Sequence, residues 1–414
     1  MNTSPVNPGA DRPYRLDPAG GCPHAPNARL LAQGAVAPVV LPGEVRGMAV
    51  LGHDVLKEFL AHPDVAKNAR HFAALQAGEI ADGWPLKTFA TVQGMTTADG
   101  DDHRRLRSLM GKAFTARRVE ELRPYVAELT ARLLDGLEEA AAEDGAADLR
   151  AHFALPLPMG VICELLGVDE AHHDRLHHLS NQLVATDIGP AEVMAANRET
   201  AETLSAVVAA KAADPGNDLT SAMIAAREED GDRFSPQELI GTLMLTIVAG
   251  HETTLNLITN AVRALCAHRD QLDLVLSGSA SWADVVEETL RWDSPVSYFP
   301  FRYPTRDLTL DGTLIPRGTP VLAGYSAAGR DTRAHGPDAA TFDITRTGPR
   351  HLSLGHGAHY CLGAPLARLE ATTALEQLFT RFPALDLAAP DPELPRHRSF
   401  VGNSVRRLPV RLRG

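Results

Sequence analysis

Leu354-Gly355-His356-Gly357-Ala358-His359-Tyr360-Cys361-Leu362-Gly363-Ala364-Pro365 is the stretch on which the reading of this 414-residue chain turns. A glycine-rich loop delivers one cysteine to the start of a segment whose Leu366, Leu369, Leu375 and Leu378 recur at helical spacing. A cysteine there faces the positive end of the helix dipole and free backbone N–H groups, which favour the thiolate. Such a thiolate is a nucleophile or a metal ligand. A merely structural cysteine has no need of the surrounding glycines. A zinc site from His356, His359 and Cys361 has irregular spacing and no second cysteine nearby. A catalytic thiol would need a base, for which His359 is the neighbour. Ligation of a haem iron explains the glycines best, because the backbone must then run close beneath a flat macrocycle. The remaining cysteines, Cys22, Cys163 and Cys266, are too sparse for a disulfide framework.

Upstream, Ser235-Pro236-Gln237-Glu238 is a capping box with proline at the first helical position. From it the pattern runs unbroken to about His268, a helix of ~32 residues and ~48 Å. Its first half, Leu239, Ile240, Leu243, Met244, Leu245, Ile247 and Val248, is apolar nearly all round, as for a helix in the core of a large protein. Its middle nevertheless reads Ala249-Gly250-His251-Glu252-Thr253-Thr254. A glycine and a carboxylate in such a place are costly. One reading is a kink with Glu252 turned to solvent. The other is a helix passing over a reaction centre, with Ala249 and Gly250 making room for a ligand, and Glu252 and Thr253 supplying an acid and a hydroxyl for proton transfer. The string is not a zinc-protease motif, since Leu255 stands where the second histidine would be.

The rest of the chain reads as mainly helical. Val36–Leu41 and Met48–Leu51 flank Pro42-Gly43 as a hairpin, and Asp54 is expected to cap a short helix ending before Pro63. Residues 68–95 read as a loop region with scattered apolar side chains. Helical periodicity fills 103–143, 157–185, 191–213 and 218–228; strand-like pieces return at 307–325 and 405–412. Residues 1–24 are expected to be a flexible segment before one large domain, 25–414. Only 5% of residues are aromatic, which disfavours an all-β fold. With 40 Lys and Arg against 52 Asp and Glu, the net charge of −12 argues against a nucleic-acid or anionic-membrane partner. The polar, Pro- and Gly-rich start lacks a signal-peptide core, and the longest apolar runs fall short of the ~20 residues of a spanning helix, so a cytoplasmic protein is expected.

Three motifs in this order resemble those of the cytochrome P-450 monooxygenases, in particular the soluble actinobacterial type. They are Ala249-Gly250-His251-Glu252-Thr253-Thr254, Glu288-Thr289-Leu290-Arg291, and the cysteine loop, whose Cys361 lies 108 residues after Thr253. The resemblance spans roughly residues 25–412 and includes Pro316-Arg317-Gly318 and Phe342-Asp343-Ile344-Thr345-Arg346. It implies a mainly α cytochrome P-450 fold with a long central helix and small β-sheets. It also implies haem b as cofactor, O2 as cosubstrate, and Cys361 as the axial ligand of the iron. Thr253 and Glu252 match the family's alcohol–acid pair. Glu288 and Arg291, with Arg346, match a buried ion-pair group that supports the cysteine segment. His103, Arg107, Arg302 and His359 match the family's contacts to the haem propionates, and Ala249, Gly250, Leu354 and Gly355 border the macrocycle. Leu354 departs from the phenylalanine usual at that position, keeping the apolar shield while losing the ring. His251 could tune proton transfer or simply pack.

The chain is too short to carry a fused reductase, so the resemblance implies electrons from NAD(P)H through a ferredoxin or flavodoxin and a ferredoxin reductase. Arg104, Arg105, Lys112, Arg117 and Arg118 are candidates for a basic docking patch, or else solvated helix charges. The variable pocket segments contribute Phe72, Leu75, Trp84, Leu86, Leu179, Leu183, Val184, Leu245, Val296, Tyr298, Phe299, Phe400 and Val401. These are mostly apolar, so hydroxylation or epoxidation of a lipophilic steroid, terpenoid, polyketide or macrolactam by a monomeric enzyme is expected. A peroxide-driven peroxygenase is disfavoured by the Glu252–Thr253 pair, and a haem carrier or sensor is the non-catalytic alternative. His172, His173, His177 and His178 are expected to be exposed helix histidines rather than a metal site.

Overall fold

The structure is a computed structural model in which residues 13–184, 189–226 and 231–413 are described. Helices dominate, as the periodicity predicts. The principal ones are α1 (Gly100–Ala113), α2 (Arg123–Asp144), α3 (Pro156–Leu166), α4 (His173–Val184), α5 (Pro236–Ala267), α6 (Trp282–Trp292) and α7 (Ala364–Arg381). The expected run over 103–143 is divided: after α1, Thr115 caps a short helix Ala116–Glu121 by accepting from Arg118 N, and Pro124 opens α2. Residues 68–95, expected as loop, contain one-turn helices at Ala73–Gln76 and Lys87–Thr91.

Six strands form the main sheet: β1 (Tyr14–Arg15), β2 (Val36–Leu41), β3 (Val45–Val50), β4 (Val65–Ala66), β5 (Tyr298–Pro304) and β6 (Val321–Gly324), in the order β1-β2-β3-β6-β5-β4. The expected β2–β3 hairpin is present, turning through Pro42–Glu44 with Gly43 at φ 78°. Two readings are corrected here. Residues 14–15, assigned to a flexible segment, pair in parallel with β2. Strand β5 is the second: its Tyr298 and Phe299 read as pocket walls, yet its ladder pairs Tyr298 with Gly324 and Tyr303 with Ala66. A third correction concerns Asp54. The helix His53–Ala61 begins after Gly52, and it is Asp331, 278 residues away, that accepts from His53 N.

Helix α5 is the axis of the molecule. Ser235 accepts from Glu238 N while Glu238 accepts from Ser235 N, so both halves of the capping box are made. The helix spans 32 residues and packs against α3, α4, α6 and α7. Gly250 serves this packing: a Cβ there would stand 2.5 Å from Ile162 Cδ1 on α3.

The Glu288–Arg291 pair lies inside this core. Arg291 donates to both carboxylate oxygens of Glu288 at 2.7 and 2.6 Å, and to the carbonyls of Gly329, Ala339 and Thr341. Glu288 also accepts from Asp343 N at 2.8 Å, and Arg346 Nε stands 3.8 Å away. The segment leading to the cysteine loop is thereby tied to α6. Gly329 has no side chain because a Cβ would lie 2.0 Å from Arg291 O. Removing one partner strands a buried charge, which costs about 3–5 kcal/mol. Arg291→Ala is therefore expected to lower unfolding free energy by about that much in urea titration, well beyond an exposed i,i+3 pair at ~0.2–0.5 kcal/mol.

Candidate active site

Cys361 emerges from a loop with few conformational alternatives. Its N–H donates to Leu354 O at 2.8 Å, Gly355 N donates to Leu352 O at 2.7 Å, and Gly355 sits at φ 77°, where a side chain is strained. The loop reaches α7 at Gly363, so the N–H groups of Gly363 and Ala364 face the thiol. Burial pushes the Cys361 thiol up; these N–H groups and the guanidiniums of Arg107 and Arg368 draw it back down. Arg107 donates to Tyr360 O at 2.7 Å, fastening α1 to the loop, and Arg368 is paired with Glu287 at 2.5 Å. Leu354 packs against the main core as the apolar shield.

A cluster of cationic groups lies beside this loop. The rings of His103 on α1 and His359 meet with centroids 4.0 Å apart at a 40° tilt. His103 Nε2 is buried with no hydrogen-bond partner, and Arg302 on β5 is 7% exposed. The structure adds a member that sequence reading missed, Lys67, which follows β4 and is 5% exposed. Its Nζ lies 3.4 Å from Pro300 O and 4.9 Å from the Phe299 ring centre. Burial and then Arg302 push Lys67 well below the ordinary lysine range. Burial, Arg302 and His103 take His359 down to about 2. Asp99 is the carboxylate that reaches Lys67, His103 and Arg302, yet its oxygens already accept from Lys67 N and Asn68 N at 2.7 and 2.9 Å. Bases gathered out of water without a matching anion are held away from their charged forms, an unfavourable arrangement for the protein alone. A ligand bearing two carboxylates, as haem does, fits this donor set and satisfies His103 Nε2.

The space for a flat ligand is written on α5. Along α5, Leu245 and Thr253 are half-buried and Ala249 is exposed, a stripe at i, i+4 and i+8, while Ile247, His251 and Glu252 are buried. Thr253 Oγ1 donates to Ala249 O at 2.7 Å on this open side. Glu252 points elsewhere: Oε1 is 3.5 Å from Arg150 Nη2 and 3.1 Å from Asn256 Nδ2. It is buried, not turned to solvent as the bland reading had it. Burial raises its pKa, but Arg150, His397 and His251 together hold the carboxyl below its usual range. His251 is wholly buried and hydrogen-bonded to His177 on α4 at 3.2 Å, so His177 is not a plain surface histidine.

The pocket residues divide. Leu245, Val296 and Phe299 retain exposed surface. Phe72, Trp84, Leu86 and Phe400 do not; they form the core behind the sheet, with Phe72 stacked on Tyr303 at 5.4 Å, Trp84 on Phe301 at 5.6 Å, and Leu75 packed at the edge. Trp84 Nε1 donates to Pro42 O at 2.7 Å, which holds the indole there. The side chain of Val184 lies outside the described residues. The basic patch is largely neutralised: Arg104 pairs with Asp101, Arg105 with Glu238 and Asp232, Arg117 with Glu121, and Arg118 donates to Asn217 O. Among the described residues no cluster of three His, Cys, Asp or Glu could hold a metal ion, which removes the zinc reading of Cys361; no helix there is long and apolar enough to cross a membrane.

Together these features define a haem-thiolate oxygenase site on a mainly helical fold. Comparison with known proteins carries the same assignment. A sequence profile of the cytochrome P-450 family matches residues 283–408. The 2-hydroxy-5-methyl-1-naphthoate 7-hydroxylase of Streptomyces carzinostaticus is 41% identical over 97% of this chain and 98% of its own. The vitamin D(3) 25-hydroxylase of Pseudonocardia autotrophica is 39% identical over 94% and 93%. The solved structure of CYP154C4 from Streptomyces sp. W2061 superposes with a TM-score of 0.93 at 42% identity, covering 97% of this chain and 98% of that one. The chain belongs to the cytochrome P-450 family, as a monooxygenase of the bacterial type.

The buried cations yield a prediction of opposite signs. Lys67→Met removes a desolvated amine, so the haem-free protein is expected to melt no lower than wild type. The haem-loaded variant should lose its cofactor several-fold faster to an apomyoglobin trap, since a charge-assisted bond to the carboxylates is gone.

Proposed function

We propose that this enzyme holds haem b through the Cys361 thiolate and hydroxylates or epoxidises a lipophilic ring compound. The observation that carries the proposal is the cluster of His103, Arg107, Arg302, His359 and Lys67 beside a cysteine whose backbone is locked on both sides. When bound, haem supplies reductive activation of dioxygen. The protein's own groups then have separable tasks. The N–H groups of Gly363 and Ala364 stabilise negative charge on Cys361 Sγ, and Leu354 keeps water from it. Thr253, with its hydroxyl proton committed to Ala249 O, presents its oxygen lone pairs to the open side and orients a proton-bearing group there. Glu252, across the same helix turn, holds the proton supply. Ala249 keeps the face low enough for a flat ligand.

The substrate reading rests on the wall and on the relatives. Leu245, Val296 and Phe299 offer an apolar surface, and the relatives named above act on a naphthoate and on vitamin D(3). A polyketide-derived aromatic or a steroid-like skeleton fits both. Electrons come from NAD(P)H through a ferredoxin or flavodoxin with its reductase. The catalytic unit is one domain that takes in β1 at Tyr14–Arg15 as well as the later elements, working as a cytoplasmic monomer. The Glu252–Thr253 pair supports dioxygen over peroxide as oxidant.

Two measurements test this. Reduced wild-type protein under carbon monoxide is expected to show the strongly red-shifted Soret band of a thiolate opposite the gas, and Cys361→Ser to lose it. A wild-type, haem-loaded protein without that band contradicts the assignment. Thr253→Ala is expected to keep the band while diverting reductant from product to hydrogen peroxide. Product per reductant should fall by roughly 10-fold or more, within the ~10²–10⁴ range of positioned proton transfer.

A further inference from the structure

Glu252 is enclosed, so any proton it delivers has to be replaced through its neighbours. Those facing it are Arg150 from the 150–154 turn, His251 and Asn256 from α5, His177 from α4, and His397 from the C-terminal loop. Most cannot restore a proton from water. A guanidinium stays charged at any working pH and an amide does not titrate. His251 is wholly buried and held down to about 4, and its bonded partner His177 is likewise lowered by burial.

His397 is different. Its Nε2 makes an ion-pair contact of 3.6 Å with Glu252 Oε1, and 23% of its side chain is exposed while Glu252 retains 9%. The loop is built to hold this ring. His397 N donates to Ser404 O at 3.0 Å beside an Arg396–Val405 bridge. Gly402 leaves the necessary gap, since a Cβ there would stand 3.1 Å from His397 Cδ2 and 3.6 Å from Asn256 Nδ2. The side chain thus keeps some solvent contact while its Nε2 faces the acid.

We propose that His397 is the solvent-side proton donor to Glu252. In this step the 3.6 Å gap closes to hydrogen-bond distance or is bridged by one water, the Nε2–H bond of the imidazolium breaks as an O–H bond forms on Glu252 Oε1, and the neutral ring regains a proton from bulk water. His397 acts through Glu252 and is a positioning and proton-supplying residue. The inference rests on the reading of Glu252 and Thr253 as the acid–alcohol pair.

The contact is tested apart from turnover by following 13C-labelled histidines by NMR in the diamagnetic carbon monoxide complex, with Glu252→Gln as comparison and His397→Gln for assignment. The His397 midpoint is expected about one pH unit lower in Glu252→Gln, because a carboxylate at this range favours the imidazolium; an unmoved midpoint overturns the proposal. Turnover is followed as NADPH consumption under oxygen with a surrogate plant-type ferredoxin and its reductase, in variants that retain the carbon monoxide band. His397→Phe and His397→Gln are expected to be about 10-fold slower near neutral pH, with a larger solvent deuterium isotope effect and a pH profile lacking the histidine limb. A slowed Glu252→Gln beside unaltered His397 variants overturns the role of His397 and leaves the acid–alcohol reading standing. An unaltered Glu252→Gln overturns both.

Discussion

Basic side chains drawn out of water, His103, Arg302 and Lys67, are the constraint on which the site depends. The fold assembles it from three places: the first turn of α1, strand β5 and the end of β4. Strand pairing brings β4 beside β5, and Asp99 ties the residues after β4 to the start of α1 through the N–H groups of Lys67 and Asn68. None of this geometry stabilises the protein alone, since burial disfavours the charged forms of these bases and Asp99 is already engaged. It suits the proposed role of the cluster as the receiving half of an interaction with the carboxylates of haem.

The other side of the cofactor site has the opposite character. The cysteine loop needs a close approach and a concentrated negative charge, and it meets both through backbone: Leu354 O receives the Cys361 N–H, while N–H groups at the start of α7 face the sulfur. The buried group of Glu288, Arg291 and Arg346 carries little chemistry, yet it ties the polypeptide leading to that loop to α6. Helix α5 completes the enclosure. It separates two environments within one turn: Thr253 on an open face and Glu252 in a polar pocket with Arg150 and Asn256.

How much of this was legible from sequence follows from the range of the interactions. Local signals were sufficient for α5, whose capping box and breaker-free run define both ends, and for the cysteine loop, whose glycines carry their backbone requirement in the residue type itself. Motif company placed Glu288 with Arg291 and singled out His103 and Arg302. Lys67 was silent, because a lone lysine after two strand residues acquires meaning only when β4 pairs with β5. Arg150 and His397 were silent for the same reason, lying 102 and 145 residues from Glu252. Hydrophobicity alone misled at Phe72, Trp84, Leu86 and Phe400, since an aromatic side chain reads the same in a core as in a pocket; the ring stacks and the Trp84–Pro42 bond decide for the core.

The account stands or falls on whether the cationic cluster receives the carboxylates of haem. The direct measurement is titration of the haem-free protein with haem and with its dimethyl ester, which has the same ring and iron but no propionate charge. Binding of the ester at least 100-fold weaker than the free acid is the predicted result, in keeping with two lost charge-assisted contacts at ~1.5–3 kcal/mol each. Equal binding of the two would contradict it.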